Sequence, residues 1–284
     1  MAIPRRRLSE LIKLYELKPT TRDLFVEGPT DKSVFEFAMG DSRPFGTAVY
    51  WIDDVELDVG DLGAEQGGCK GRVVRLAGYA SANHIRSVVC VADRNRDDQT
   101  PIEGRTYLHP TVFPDLEFHL IPGEQLDWVL QIATGVTVPE NALKSAVGAA
   151  NIMYAVGLMG DAELEVVSMV PLDKNVAIAD DGKISFDLPA YLGRMDSKNE
   201  SGVLFRDLEE KVAEVLQGMD GKDPFLFAEF HSFESCFERV LRLLKYNPKG
   251  LYSEGWLGRL IRASVTQGKL ADAFFTAVLV RVST

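Results

Sequence analysis

The sequence DLFVEGPTD, at residues 23–31, decides the predicted fold of this chain. Residues 24–26, Leu-Phe-Val, are strand formers, and the Gly-Pro pair that follows Glu27 marks a turn. Thr30 or Asp31 can cap the helix that the next apolar positions indicate. We therefore predict a strand, a turn and a helix, with Glu27 at the carboxyl end of the strand, where open α/β sheets place their chemistry.

A second apolar run also ends on an acidic residue. Residues 88–92, VVCVA, have the composition of a strand buried on both faces, as in a parallel sheet, and Asp93 follows directly. A third acid, Glu117, lies in the segment Pro-Asp-Leu-Glu at 114–117. Carboxylates at the ends of separate strands supply the oxygen ligands that magnesium takes while it keeps several waters.

Each of these acids also has a structural explanation. Glu27 could be an acid at a helix start, stabilised by the helix dipole. The acidic run at 93–98 could be a solvated turn, because Asp and Asn are frequent in such loops. Glu117 could be an ordinary acid in the first turn of a helix. Both explanations remain open for each of them.

Composition sets limits on the protein class. A chain of 284 residues that is 46% hydrophobic can bury a sizeable core, in one large or two ordinary domains. No apolar stretch approaches the roughly 18–20 residues that cross a bilayer, and residues 8–14 are amphipathic, unlike a signal peptide. The three scattered cysteines indicate reduced thiols and no zinc site. We expect a cytoplasmic protein without a membrane segment.

The order of patterns predicts an α/β fold with a small parallel sheet flanked by helices, followed by a mainly α-helical region with a small β-hairpin. We expect an N-terminal helix within 1–19, an α/β domain over 20–122 and a helical domain over 123–284. The predicted strands are 22–27, 47–53, 88–92 and 106–109, and the hairpin lies at 165–188 with its turn at 180–182. The predicted helices are 6–17, 31–39, 72–83, 125–134, 140–159, 203–217, 225–246, 251–263 and 268–280.

Charge is distributed unevenly. The net charge of −11 argues against non-specific binding to nucleic acid, yet residues 239–269 carry seven basic side chains and one acidic one. The candidate nucleic-acid contacts are Arg239, Arg242, Lys245, Arg259 and Arg262, together with Lys70 and Arg72 beside Gly67-Gly68. Aromatic residues Tyr246, Tyr252 and Trp256 are interleaved with the basic ones. The alternatives are an amphipathic helix pair with a solvated cationic face, and a plain loop at the two glycines.

These segments together resemble a known fold. The order LFVEGPTD at 24–31, Gly-Gly at 67–68, VADRN at 91–95 and Asp-Leu-Glu at 115–117 is similar to a Toprim domain, which topoisomerases, bacterial primases and OLD-type nucleases share. The spacing most resembles the Toprim effectors of bacterial anti-phage systems that work beside an OLD-like ATPase, such as the PARIS type. The resemblance covers about residues 20–122.

The resemblance implies a nuclease that depends on Mg²⁺ or Mn²⁺. Glu27 then serves in acid–base chemistry and in metal binding, and Asp31 is a metal ligand. Asp93 is catalytic and binds metal with the residue two positions on, which is Asn95 here where the family usually has aspartate. Glu117 is the last acid of the metal site.

Two further positions follow from the same comparison. Because the neutral Asn95 offers only a carbonyl oxygen, Asp97 or Asp98 is a candidate substitute ligand from the loop. Lys222 is the candidate for the basic catalytic residue that OLD-type sites use. The chain carries no phosphate-binding loop of the nucleotide-hydrolase type, so ATP hydrolysis is not expected.

Two functions are compatible with these patterns. The first is an endonuclease that cuts RNA, with transfer RNA as one candidate, or DNA; it would be the toxic effector of an antiviral defence system controlled by a separate OLD/ABC-type ATPase, with a homodimer as a candidate active form. The second is a non-catalytic Toprim-like module that binds a partner or nucleic acid, with Asn95 marking a decayed metal site.

Overall fold

The fold is taken from a computed structural model, which describes residues 5–40, 46–59, 68–94, 96, 105–120, 131, 140–163, 168–170, 175–178, 184–199, 205–243, 245, 256–264 and 273–283. The helices are α1 Leu8–Leu17, α2 Pro29–Met39, α3 Gly68–Ala82, α4 Glu140–Glu163, α5 Leu188–Asn199, α6 Glu209–Met219, α7 Phe230–Leu243, α8 Trp256–Ser264 and α9 Ala273–Ser283. The strands are β1 Arg6–Arg7, β2 Asp23–Val26, β3 Val49–Trp51, β4 Val55–Glu56, β5 Val88–Ala92, β6 Leu108–Pro110, β7 Val176–Ile178 and β8 Ile184–Phe186.

The central sheet has four parallel strands in the order β3-β2-β5-β6. Phe25 of β2 pairs with Tyr50 of β3 on one side and with Cys90 of β5 on the other. The two central strands are buried along their whole length, which explains why residues 24–26 and 88–92 are continuous apolar runs rather than alternating ones. The predicted α/β class, with a small parallel sheet flanked by helices, is confirmed.

One face of the sheet packs against α1 and α3. The buried cluster there includes Leu8 and Leu11 of α1, Leu76 of α3 and Phe25 of the sheet. The rings of Phe25 and Tyr50 stack with their centroids 5.3 Å apart. This packing fixes the sheet against two helices, so the strand ends have a rigid support.

A buried hydrogen-bond pair ties α1 to the start of β2. The hydroxyl of Tyr15 donates to Oδ2 of Asp23 at 2.8 Å, and Oδ1 of Asp23 accepts the N–H of Ala48 at 2.7 Å. Asp23 is only 2% exposed, so its carboxylate depends on these donors in place of water. Asp23, at the start of β2, therefore has a structural role.

We expect Tyr15→Phe to lower the free energy of unfolding by about 1.5–3 kcal/mol, because it removes a donor from a buried charged acceptor. Urea unfolding followed by tryptophan fluorescence measures the change. The matched control is Tyr79→Phe, since Tyr79 is half-buried and its hydroxyl makes no hydrogen bond within the described residues. Equal losses in the two variants would show that the Tyr15–Asp23 bond contributes nothing.

The predicted hairpin is present but shorter than expected. Strands β7 and β8 pair antiparallel on either side of 180–182, which confirms the hairpin. Residues 168–170 were expected in a strand and are not in one. The reason is that α5 satisfies their backbone groups: Asn199 accepts from the N–H of Ser168 at 2.8 Å, and the Tyr191 hydroxyl donates to the carbonyl of Val170 at 3.1 Å.

Most predicted helices are found within a few residues of their expected limits. The exception is the helix expected at 125–134, which lies outside the described residues apart from Gln131. None of the helices in the described part of the chain combines the length and apolar character that a membrane span requires.

The chain divides into two compact units. The sheet unit comprises Met1–Arg94, Asp98–Val112 and Val265–Thr284, and the helical unit comprises Asn95–Asp97 and Phe113–Ser264. The last helix, α9, belongs to the sheet unit, although sequence analysis assigned it to the helical domain. Its Phe275 packs against Phe35 of α2 at a ring distance of 5.3 Å, a contact that helical periodicity alone does not reveal.

Candidate functional site

Two of the predicted acids meet where the central strands end. Glu27 follows β2 and Asp93 follows β5, and these strands are neighbours in the sheet. Oε1 of Glu27 accepts the backbone N–H of Asp93 at 2.7 Å. We call this edge of the sheet, which carries Glu27, Asp53, Asp93 and Thr111, the carboxyl edge. The structure therefore brings together the two strand-end acids singled out in the sequence.

Glu27 sits in a partly desolvated environment. Burial raises the pKa of its carboxyl group, and the Asp93 amide and the Lys70 ammonium oppose that rise. Its second oxygen, Oε2, accepts no hydrogen bond from the described residues. A partly desolvated carboxyl group with a raised pKa can exchange a proton or bind a cation.

The residues after Asp93 are held by side chains rather than by the sheet ladder. The N–H of Arg94 donates to Oγ1 of Thr111 at 2.9 Å, and the carbonyl of Arg94 accepts from Nζ of Lys70 at 2.9 Å. Thr111 was not singled out by sequence analysis, and its only sequence signal is its position directly after the last strand. Lys70 was assigned to nucleic-acid binding; its contact with the segment after β5 is additional to that prediction.

Asp31 has a structural role in the helix that follows Glu27. Its Oδ2 accepts the N–H of Gly28, the residue before α2, at 2.9 Å, which is one of the two bonds of a capping box, and Pro29 occupies the first helical position. An acid that stabilises a helix start was considered as an explanation for Glu27; in the structure, Asp31 has that role. Metal binding by Asp31 stays a prediction.

Two further acids at the carboxyl edge were not predicted. Asp53 and Asp54 follow β3 in a short 3-10 helix. Arg72 forms an ion pair with Asp53 and also donates to the carbonyl of Ile52 at 3.1 Å, and Lys32 binds Oδ2 of Asp54 at 2.7 Å. Arg72 therefore has structural partners, and its predicted contact with nucleic acid stays a prediction.

The acidic segment after Asp93 is only partly described. Asn95 and Asp97 lie outside the described residues. Arg96 belongs to the helical unit, where its Nε lies 3.1 Å from Asp161 and 3.2 Å from Glu229. A Cβ at Gly157 would collide with the Arg96 guanidinium, so a larger residue at that point of α4 would require the Arg96 side chain to move.

Glu117 and its neighbour Asp115 lie in the helical unit. Glu117 is in the first turn of the 3-10 helix Leu116–Leu120, the setting of its structural explanation. Asp115 accepts the N–H of Phe230 at 2.6 Å and so caps the start of α7. Burial raises the pKa of Asp115 from an ordinary value of 3.8 to about 7, aided by the nearby charges of Glu117 and Glu229. Metal binding by Glu117 stays a prediction.

The remaining predicted basic residues have different surroundings. Nζ of Lys222 lies 5.5 Å from the ring centre of Phe227, and Arg242 binds Glu238 at 2.5 Å. Lys245 and Arg259 are exposed. Nε of Arg239 is buried and donates no hydrogen bond to the described residues, and the side chain of Arg262 is not among those described. Trp256 is 4% exposed, so this aromatic packs in the interior as the amphipathic-helix alternative expects.

The cysteines of the chain are free thiols. Cys90 and Cys236 are buried, and burial raises the pKa of both thiols. Neither residue is therefore a reactive thiolate at neutral pH. Reduced thiols were expected from the sequence.

The donor set at the carboxyl edge fits a hard divalent cation. Magnesium binds through one or two carboxylates and keeps several waters, and Glu27 and Asp93 provide two carboxylates at adjoining strand ends. Within the described residues no three His, Cys, Asp or Glu side chains form a ready-made ligand group. Neither a family model nor a curated protein matches this sequence.

Proposed function

We propose that this protein is a Toprim-type endonuclease that depends on Mg²⁺ or Mn²⁺ and hydrolyses phosphodiester bonds of RNA, including transfer RNA, or of DNA. The observation that carries the proposal is the contact between Glu27 and the amide of Asp93, which places two acids at the ends of adjacent parallel strands. The resemblance of residues 20–122 to Toprim domains supports the same reaction class.

The proposed chemistry assigns a role to each group at the carboxyl edge. A bound divalent cation would stabilise charge on the attacking and leaving oxygens. Glu27 and Asp93 would hold that ion, and Glu27, with its raised pKa, would also exchange a proton with water or the leaving group. Lys70 lies close enough to lower the pKa of Glu27, which opposes the rise that burial causes.

The biological role in this proposal is that of a toxic effector. The resemblance to Toprim effectors of anti-phage systems supports control by a separate OLD/ABC-type ATPase. The net charge of −11 suits a protein docked to a larger assembly more than one that binds nucleic acid non-specifically. Host RNA or DNA would then be cut only after release or activation.

Cation dependence tests this proposal directly. We expect Mn²⁺ or Mg²⁺ to raise the melting temperature of the purified protein, because an ion that binds only the folded state stabilises it. We also expect cleavage of total RNA, transfer RNA or plasmid DNA with metal and none with chelator. Asp93→Asn is expected to weaken both effects, since it replaces a charged ligand with a neutral one.

The competing function is a non-catalytic module that uses the same fold to bind a partner. Two observations favour it: the Asp31 carboxylate is engaged in capping α2, and the neutral Asn95 stands where related sites carry an acid. Two results together would favour this alternative: a melting temperature that neither Mg²⁺ nor Mn²⁺ changes, and no cleavage even when a neighbouring ATPase and its trigger are present.

A further inference from the structure

Thr111 holds the backbone beside Asp93 from the end of the edge strand. It directly follows β6 and is 2% exposed. Its Oγ1 accepts the N–H of Arg94 at 2.9 Å, and its own N–H donates to the carbonyl of Ala92 at 3.0 Å. One buried residue therefore bonds to the chain on both sides of Asp93.

Three side chains secure consecutive backbone groups after β5. Glu27 accepts the N–H of Asp93, Thr111 accepts the N–H of Arg94, and Lys70 donates to the carbonyl of Arg94. The strand has ended at this point, so side chains supply the bonds that a ladder would otherwise make. Fixing these peptide groups fixes the direction in which the side chain of Asp93 leaves the backbone.

We infer that Thr111 is a positioning residue: its hydroxyl orients Asp93 so that the Asp93 and Glu27 carboxylates can bind one divalent cation. This inference rests on the proposed function. Thr111 is the informative position of the three because it is uncharged and acts through geometry alone. Lys70, in contrast, also changes the electric field at Glu27.

The test is the affinity of the purified full chain for Mn²⁺, measured from free Mn²⁺ by electron paramagnetic resonance, with melting temperatures recorded in chelator. Thr111→Val keeps the shape and removes the hydroxyl; we expect about 10- to 100-fold weaker binding, the usual effect of losing a residue that supports a metal ligand. Thr111→Ser restores the acceptor and is expected to retain most of the affinity. Thr21→Val is the matched control, because Thr21 is a buried threonine before the opposite end of β2.

The outcomes separate this inference from the function on which it rests. If wild type binds Mn²⁺ and Glu27→Gln does not, while Thr111→Val binds as wild type does, the inference is overturned and the proposed function stands. Equal losses in Thr111→Val and Thr111→Ser would also overturn it, since the hydroxyl would not be the cause. If wild type binds no Mn²⁺, both fall. If Thr111→Val shows no cooperative melting transition, Thr111→Cys is tested in its place. The cysteine sulfur stands where the threonine hydroxyl was and is a weaker hydrogen-bond acceptor, so weaker Mn²⁺ binding is again expected.

Discussion

Glu27→Gln is expected to lower metal-dependent cleavage by about 10²- to 10⁴-fold, the range that a positioned acid–base group contributes. Glutamine keeps the size of the side chain and an oxygen that can accept the Asp93 amide, so the carboxyl edge should stay folded. It removes the charge and the titration that the proposed reaction uses. The rate is measured on the substrate that wild type cuts, with Mn²⁺ and with chelator.

A control variant shows whether the effect of Glu27→Gln comes from this site or from removing any negative charge. Glu36→Gln alters an exposed glutamate on α2 of the same unit and is expected to cleave as wild type does. The metal-induced rise in melting temperature should vanish in Glu27→Gln and persist in Glu36→Gln. Cleavage by Glu27→Gln at the wild-type rate would exclude Glu27 as the catalytic group and remove the main support for the nuclease proposal.

The helical unit should become less stable, relative to an Asp115→Asn variant, as pH rises from about 4 to about 8. The folded-state pKa of Asp115 is about 7 against an ordinary 3.8, so folding favours the protonated form. Its stabilisation is complete below the unfolded pKa and is lost as pH rises through the folded pKa. At about 1.4 kcal/mol per pKa unit, the loss reaches up to about 4 kcal/mol.

Asparagine imitates the protonated acid, because its amide oxygen can accept the N–H of Phe230 without carrying charge. The two proteins should therefore differ little near the acid end and most at the alkaline end. Urea unfolding across this pH range measures the difference, and Asp207→Asn, at an exposed acid in the same unit, serves as the control. If the difference in unfolding free energy between wild type and Asp115→Asn stayed constant with pH, the raised pKa of Asp115 would be contradicted.

Some secondary-structure elements could be predicted from the sequence and others could not. The strands β2 and β5 were predictable because both are short apolar runs that end abruptly on an acid, and a strand buried on both faces needs such a run. The first strand of the expected hairpin was not, because Tyr191 and Asn199 satisfy the backbone of 168–170 in place of a neighbouring strand. Hydrophobic periodicity predicts which residues are buried. It does not predict which other residues form hydrogen bonds with their backbone groups.

The candidate site shows the same division. Glu27 and Asp93 were recognisable because each directly follows an apolar run, and parallel strands end at one edge. Asp115 was passed over in favour of Glu117, since a buried cap for a helix 115 residues later has no local sequence pattern. Thr111 was missed for the same reason, whereas Asp53 follows the apolar run at 48–52 and carried the same local signal as Glu27 and Asp93.

The sequence by itself determined the parallel α/β core, the two acids at its strand ends and the helical character of the second half. Local chemistry is sufficient for these, because apolar runs, turn residues and strand direction are properties of neighbouring residues. The tertiary structure alone decided which polar groups face one another: the Thr111 and Lys70 contacts that hold Arg94, and the burial that raises the pKa of Glu27. Hydrogen bonding and desolvation depend on distances between residues far apart in the chain, and only folding sets those distances.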